Sequence, residues 1–356
     1  MFAPVRYLEW ARRFYGQVRF DLATSGMPTV PASEIPLPEG APLDGAAAWA
    51  LLPHAIAAHH GTSAEEAIAA LGTTHAMWLA CAAVAGPGDD VLVEDPAYEP
   101  LVRIAEGVGA RPVRFRREAA EGYAVDPERV ARAMTPRTRL IVLTSPHNPS
   151  GVRASDEALA GCARLAMERG AWLLVNEIYA ELDDLVGPDG VFRGSARRLG
   201  PRVLAASSLT KCYGLGPHRI GWLLGPPDVI ARARDVTTAA HGMLPLSHAH
   251  FALAAFARLP ELAARTRGTL APKRARVGRW VAEQGLSWSA PEAGLFGFVR
   301  TPGRGDLTLA IEAAARSREV LVAPGAFFGE PEGFRIAWSL PDDALEEGLA
   351  RLATVL

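Results

Sequence analysis

Chemistry in this chain can be built around Lys211. It stands in Ser207-Ser208-Leu209-Thr210-Lys211-Cys212-Tyr213-Gly214, directly after the apolar run Val203-Leu204-Ala205-Ala206. A charged amine at the end of a buried strand is costly. Desolvation lowers its pKa and frees it as a nucleophile. Ser208, Thr210 and, eight residues on, Arg219 supply hydroxyl and guanidinium donors suited to an anion such as phosphate. An amine able to form a Schiff base beside a phosphate site points to pyridoxal 5'-phosphate. Taken alone, the stretch also fits an exposed loop lysine near an unrelated arginine.

Other candidates fall in similar places. Gly72-Thr73-Thr74-His75 opens an apolar helix, Ala76 to Ala85. The first N–H groups of a helix are unpaired, so such a start is a ready anion site as well as an ordinary N-cap. Asn148-Pro149-Ser150-Gly151 follows the strand-like run Leu140 to Leu143, and Asn176-Glu177-Ile178-Tyr179 follows Ala171 to Val175. Tyr98 comes just after the strand Val91 to Glu94 and the turn Asp95-Pro96-Ala97, and Arg335 lies late in Phe334-Arg335-Ile336.

The elements that must position these residues alternate. Strand-like runs at 91–94, 111–115, 140–143, 171–175 and 201–206 are separated by helical stretches at 98–108, 126–134 and about 155–169. Asp126 and Pro127 form a helix N-cap and first position. Near-continuous apolar strands with polar residues at their C-terminal ends are the pattern of a doubly wound, mostly parallel sheet, whose ligands bind at those ends. Ile220 to Leu224 reads as an antiparallel return strand. Before this unit, Met1 to Gly16 reads as an amphipathic helix or arm whose Tyr7, Leu8, Trp10, Phe14 and Tyr15 dock on the body or a partner subunit. Arg19 to Gly40, rich in Pro and Gly, reads as an extended linker. Ala46 to His60 reads as a helix ended by Gly61, with His54, His59 and His60 as basic last-turn residues rather than metal ligands. After about 241 the pattern changes to helices at 245–259 and 261–284, the second with Gly268 and Pro272 as places for a kink. Short strands at 286–290, 294–300, 320–322 and 334–339 follow, with helices at 306–318 and 341–356. The expected organisation is an arm with part of a small domain (1–42), a large α/β domain (43–240) and a small α+β domain (241–356).

Composition fits this. The chain has 356 residues, 49% hydrophobic and 21% charged, long enough for a large core and a second domain. A formal net charge of −2 gives no reason to expect nucleic acid or an acidic membrane surface. The N-terminal stretch is broken by Arg6, Glu9, Arg12 and Arg13 and lacks the apolar core of a signal peptide, and no apolar run reaches the length of a membrane span. Cys81, Cys162 and Cys212 are sparse and scattered, which suits free thiols in a reducing cytoplasm. His248-x-His250, with His241 upstream, has no carboxylate or Cys beside it, so no metal site is expected.

The order and spacing of these motifs resemble the class I/II aminotransferases, pyridoxal phosphate enzymes of the aspartate aminotransferase fold (fold type I), from about Leu22 to the end. The resemblance implies a role for each residue. Lys211 matches the lysine that carries the cofactor as a Schiff base and shuttles the substrate α-proton. Ser208 and Arg219 match the phosphate-holding side chains, and Gly72, Thr73 and Thr74 the phosphate-binding helix start. Asn148 and Tyr179 match the residues that hydrogen-bond the pyridoxal O3′, and Tyr98 the aromatic that stacks on the ring. Arg335 matches the arginine that forks onto the substrate α-carboxylate. Gly26 falls where the family presents a backbone group to substrate.

Two departures stand out. Asn176 occupies the place of the family's Asp that bonds the pyridine nitrogen and keeps it protonated, and Glu177, next along a strand, points to the opposite face. No Tyr occurs between Leu37 and Trp49, where many members carry one that reaches the neighbouring subunit's phosphate. The resemblance implies an amino acid aminotransferase working with a 2-oxo acid, as a homodimer. Alternatives are another reaction on the same fold (a β/γ-lyase, decarboxylase or oxidase) and a non-catalytic cofactor binder. A dinucleotide-binding protein is disfavoured because no Gly-x-Gly-x-x-Gly follows the first strand. Trp49, Trp78, Met243 and Phe296 are candidates for the wall of the side-chain pocket.

Overall fold

The computed structural model describes residues 3–36, 39, 45–182, 191–242 and 245–356. The chain opens with helix α1 (Arg6–Phe14) and a two-residue strand, β1 (Phe20–Asp21). The α1 sequence places Tyr7, Trp10, Ala11 and Phe14 on one stripe, and all four are buried. They pack within this chain: Tyr7 meets Tyr98, Phe327 and Phe328, and Trp10 meets Phe327. The body of the chain is thus one of the two docking places expected for the arm, and the stripe lies on it.

Helix α2 (Gly45–His60) leads to β2 (Ala67–Ala70), α3 (Thr73–Val84), β3 (Asp90–Asp95), α4 (Pro100–Gly107) and β4 (Arg111–Arg116). Then come α5 (Pro127–Ala133), β5 (Thr138–Thr144), α6 (Asp156–Glu168), β6 (Trp172–Asn176), β7 (Val203–Ser208), β8 (Gly221–Leu224) and α7 (Pro227–His241). The seven strands β2 to β8 form one sheet in the order β2-β8-β7-β6-β5-β3-β4. Its β3–β7 pairings are parallel, and β8 runs against β7 and β2 as a return strand. The sheet is buried on both faces: residues of α3, α4 and α7 fill one side and those of α5 and α6 the other. Asp126 caps α5, accepting from Glu128 N–H at 2.9 Å, and Ser155 caps α6, accepting from Ala158 N–H at 3.1 Å. Strand β2 is not legible in the sequence. Ala-Ile-Ala-Ala has little strand propensity, and its pairing with β8 decides its conformation.

The rest of the chain comprises α8 (Leu246–Phe256), α9 (Leu259–Glu283), β9 (Ser287–Trp288), β10 (Phe296–Arg300), α10 (Thr308–Arg318), β11 (Val320–Leu321), β12 (Ala323–Pro324), β13 (Gly333–Ala337) and α11 (Asp342–Ala353). An antiparallel sheet, β12-β13-β10-β9, carries Arg335 at its centre, and β1 pairs in parallel with β11. Gly268 and Pro272 lie inside one uninterrupted α9, and α8 packs on α2 of the preceding unit.

The histidines at the end of α2 depart from expectation. His59 and His60 are buried, and His59 Nε2 lies 2.8 Å from a carboxylate oxygen of Glu181. Burial, with His59 and Arg198 adding to it, pushes the His60 imidazole well below its ordinary pKa. It is therefore neutral and gives no charge to the helix terminus. The three side chains bring donor atoms within 4.8 Å of one another. The His59–Glu181 bond ties α2 to the segment directly after Tyr179.

Candidate active site

The C-terminal ends of β5, β6 and β7 open into a cavity of about 240 Å³. Its wall brings together Thr73, Thr74, Tyr98, Asn148, Asn176, Tyr179, Thr210, Lys211 and Arg219. These positions are as much as 146 residues apart in sequence, and the parallel sheet delivers them because each follows a strand or opens a helix on the same edge.

A wholly buried ion pair braces that edge. Arg117 Nη1 donates to Glu94 Oε2 at 2.7 Å, and Thr144 N–H donates to Glu94 Oε1 at 2.8 Å. The loop carrying Asn148 is held from beneath by His147, whose ring nitrogens lie 2.7 Å from Ser150 Oγ and 2.9 Å from the Pro96 carbonyl. That second contact links the Asn148 loop to the turn before Tyr98.

Lys211 is half-buried at the cavity floor. Burial, with Arg335 and Arg219 adding like charge, brings its amine down to about 8, so a substantial fraction is neutral near physiological pH. Gly26 packs against it: a Cβ there would lie 3.4 Å from Lys211 Cδ. The Gly26 carbonyl is taken by the Ser339 hydroxyl at 2.9 Å. Burial raises Tyr179 to about 12, so its hydroxyl stays protonated and is a donor; here it donates to Ser25 Oγ at 3.2 Å.

At one end of the cavity lies the start of α3. Gly72, its N-cap, has φ +79°, and a Cβ on it would stand 2.6 Å from Arg219 Nη2. Gly221 of β8 is equally constrained, since its Cβ would meet Gly72 C at 2.5 Å. The two glycines let the exposed Arg219 lie over the helix start, where its own φ is +50°. Thr73 Oγ1 is buried there without a partner. Ser208 lies behind the wall, with its hydroxyl 2.7 Å from that of Thr210, which faces the cavity. Free helix N–H groups, a cradle that a Cβ would fill, an arginine and an orphaned hydroxyl together fit a phosphate.

At the other end is Arg335, fully enclosed and absent from the cavity wall. Its Nη1 donates to Asn148 Oδ1 at 2.7 Å, and its Nη2 donates to the Tyr7 hydroxyl and the Ala23 carbonyl, both at 2.8 Å. Between the two ends, Asn176 Oδ1 accepts from Ile178 N–H at 3.3 Å, which leaves its amide NH₂ available to the cavity. Glu177 does face away. Its carboxyl binds Ser195 Oγ at 2.9 Å and the Ala196 N–H, and burial raises it to about 8.

The pocket-wall candidates fare differently. Trp49 lines a smaller neighbouring cavity that shares only Arg219 with this one, and Trp78, on α3, packs against the core. Phe296 stacks edge-on to Tyr179 and under Arg335 instead of reaching the cavity wall. Met243 lies outside the described residues. The wall is supplied by Leu8, Met77 and Ile178 and by the hydroxyl-bearing Tyr7, Tyr15 and Ser25. The roles of Tyr7 and Tyr15 are hidden in the sequence, which marks them only as apolar docking residues. Cys212 is buried with Sγ 3.1 Å from the Ile178 carbonyl, a packed thiol behind the catalytic strand.

This fold and this constellation define a pyridoxal phosphate enzyme of the aspartate aminotransferase fold. The family described as "Aminotransferase class I and II" matches residues 48–352, and the chain belongs to it. It is 28% identical over 310 residues to the aspartate aminotransferase of Streptomyces avermitilis (82% of this chain, 74% of the relative). It is 32% identical over 292 residues to capreomycidine synthase of Streptomyces vinaceus (80% and 73%). The crystal structure of a PLP-dependent aminotransferase from Streptococcus suis superposes with a TM-score of 0.88 at 22% identity, covering 100% of this chain and 98% of that one. The protein is a PLP-dependent aminotransferase.

Proposed function

We propose that the chain moves an amino group between an α-amino acid and a 2-oxo acid with the roles divided along the cavity. Lys211 holds the cofactor and moves the proton at the substrate α-carbon. Gly72, Thr73, Thr74, Thr210 and Arg219 hold the phosphate, with Ser208 bonded to Thr210 from behind the wall. Tyr98 lies on the ring, Asn148 and Tyr179 bind O3′, and Asn176 meets the ring nitrogen. Arg335, with Asn148, receives the α-carboxylate, and the main chain at Gly26 borders the substrate. When bound, the cofactor supplies the carbonyl that takes up the amino group and the ring that withdraws electrons from the α-carbon.

One observation carries this reading. A lysine amine lowered to about 8 stands in one cavity between a phosphate-type helix start and Asn148, with Arg335 bonded behind that asparagine. The test is an absorbance scan of the purified holoenzyme with a panel of amino acids, then a 2-oxo acid. Because the wall includes Leu8, Met77 and Ile178, the panel begins with uncharged side chains. Conversion to the pyridoxamine spectrum, reversed by the oxo acid, supports the reading. Release of ammonia or carbon dioxide without an acceptor would overturn it in favour of a lyase or decarboxylase, and consumption of oxygen would point to an oxidase. Asn176 in place of a carboxylate is the feature that favours such a second reading.

We further propose that the chain is cytoplasmic and, as is usual for the family, a homodimer. The arm gives no support, because its apolar stripe is spent inside the chain. Support for the compartment comes from the three cysteines, all buried and none in a disulfide. Light scattering of the purified protein tests the dimer. No helix among the described residues is long and apolar enough to cross a membrane.

A further inference from the structure

The place on Arg335 that a substrate carboxylate needs is filled by the protein. A guanidinium offers a carboxylate two edges with parallel donors, Nη1 with Nη2 and Nε with Nη2, and each edge uses one hydrogen of Nη2. In Arg335 both of those hydrogens are spent, one on the Tyr7 hydroxyl and one on the Ala23 carbonyl, each at 2.8 Å. Nε is buried with no partner. Tyr7 and Tyr15 face the cavity, while Arg335 lies behind them. The two Nη2 acceptors are not equally replaceable. Ala23 offers main chain, and its N–H is anchored on Asp21 Oδ1 at 2.8 Å. Tyr7 offers a side chain from α1. Its hydroxyl has a second partner, the Tyr15 hydroxyl at 2.6 Å, and Tyr15 in turn donates to the Ala23 carbonyl at 3.4 Å. The Tyr7 proton is therefore directed to Tyr15, and its oxygen is the acceptor for Arg335.

We propose that Tyr7 competes with substrate for Arg335: its hydroxyl oxygen holds the position of one α-carboxylate oxygen in the empty enzyme, and the two exchange when an α-amino acid binds. A carboxylate replaces a neutral acceptor with a charged one and reaches a second donor, including the unpartnered Nε, so the exchange runs toward substrate. A simple amine has nothing to offer Nη2 and leaves Tyr7 in place. Tyr7 thus keeps a buried guanidinium hydrogen-bonded between turnovers at the expense of amino acid affinity, and it makes release of the arm from Arg335 a response to the carboxylate. The proposal rests on reading Arg335 as the carboxylate site.

The test uses holoenzyme and two probes read by cofactor absorbance. One is 2-methylalanine, which has both functional groups but no α-hydrogen to lose. The other is isopropylamine, the same skeleton without the carboxylate. Tyr7→Phe keeps the ring against Trp10, Phe327 and Phe328 and removes only the competing oxygen. It should tighten 2-methylalanine by about fivefold or more, the effect of removing the acceptor of a buried donor, and leave isopropylamine within about twofold. Tyr15→Phe, which spares the Tyr7–Arg335 bond, should move neither probe by more than about twofold. Weaker 2-methylalanine binding in Tyr7→Phe means that Tyr7 donates to the carboxylate, and it overturns the proposal. Equal shifts on both probes, no shift, or an equal gain in Tyr15→Phe overturn it too, because those outcomes report a loosened arm or an inert contact. Arg335→Lys is run in parallel. If it leaves 2-methylalanine unchanged, the carboxylate reading of Arg335 fails; if it weakens 2-methylalanine alone while Tyr7→Phe fails, only the exchange is wrong.

Discussion

At the carboxylate end of the cavity Arg335 is fully enclosed, and three hydrogen bonds of 2.7–2.8 Å to Asn148, Tyr7 and Ala23 hold its guanidinium within this chain. At the phosphate end Arg219 is exposed, makes one 3.4 Å contact to the Leu71 carbonyl, and overhangs a buried Thr73 hydroxyl without a partner. The same residue type is thus used in two ways. The first arginine is part of the folded core and, on the proposed reading, exchanges an existing contact for its ligand. The second is held by backbone geometry, with φ +50° beside Gly72, and on the same reading takes its strong partner from an anion. Stability and binding should therefore be coupled at one end and separable at the other.

Lys211 sits between the ends, and its replacement should have the largest effect. Lys211→Ala should lower the transamination rate by about a thousandfold or more, since it removes both the nucleophile and the proton carrier. It should still bind cofactor through the phosphate end, as measured by equilibrium dialysis. Borohydride reduction of the wild type, followed by peptide mapping, should place the label on Lys211; a label on Lys273 would sink the assignment.

Arg335→Lys keeps the charge and loses the planar fork. The apparent KM for every amino acid substrate should rise by roughly 30- to 100-fold, the worth of about one charge-assisted hydrogen bond. Simple amines should be little affected. The melting temperature should fall as well, because Tyr7, Asn148 and Ala23 lose a shared buried donor. A KM effect with no loss of stability would break the contrast between the ends.

Arg219→Gly should do the opposite. It removes a phosphate contact and relieves a positive φ. Cofactor should bind about tenfold more weakly, the loss of one charged hydrogen bond, while the apoenzyme melts no lower than wild type. The same variant should raise the Lys211 pKa above its value of about 8, since Arg219 is one of the cations that depress it after burial. Acylation of the apoenzyme amine against pH reads this directly. The sign for stability follows. Between pH 8 and the ordinary lysine range the unfolded chain binds the extra proton, so the wild-type apoenzyme gains stability as pH rises through that window, and Arg219→Gly should gain less.

The smallest effect belongs to the ring-nitrogen position. Asn176→Asp restores a negative charge and should speed the single-turnover half-reaction with a good donor by several-fold, because a carboxylate favours the protonated, more electron-withdrawing ring. An unchanged or slower half-reaction would show that the site does not need that nitrogen charged.

Much of this was legible in the linear chain because it depends on local order. Apolar runs ending in Asn148, Asn176 and Lys211 specify parallel strands, and parallel strands with right-handed crossovers bring their C-terminal ends to one edge. Glycine at 72 before two threonines announces a helix start, and Asp126 and Ser155 announce caps. The alternation of strand side chains was enough to turn Glu177 away from Asn176. Other features depend on which surfaces meet, and no local rule encodes that. The α1 stripe shows that Tyr7 and Trp10 will be buried but not against what. Only the folded chain sets Tyr7 on Arg335, 328 residues away, and Tyr15 on Tyr7. The α2 histidines look like charged end-caps until Glu181 and burial make them an interior pair. Trp49, Trp78 and Phe296 have the right chemistry for a pocket wall, yet packing sends each elsewhere and gives the wall to Leu8, Met77 and Ile178. Sequence by itself determined the parallel core of the sheet, its functional edge and the lysine placed there, because these follow from periodicity and strand-end chemistry. Tertiary structure alone decided which arginine is sealed and which is open, because burial is a property of distant segments packing together.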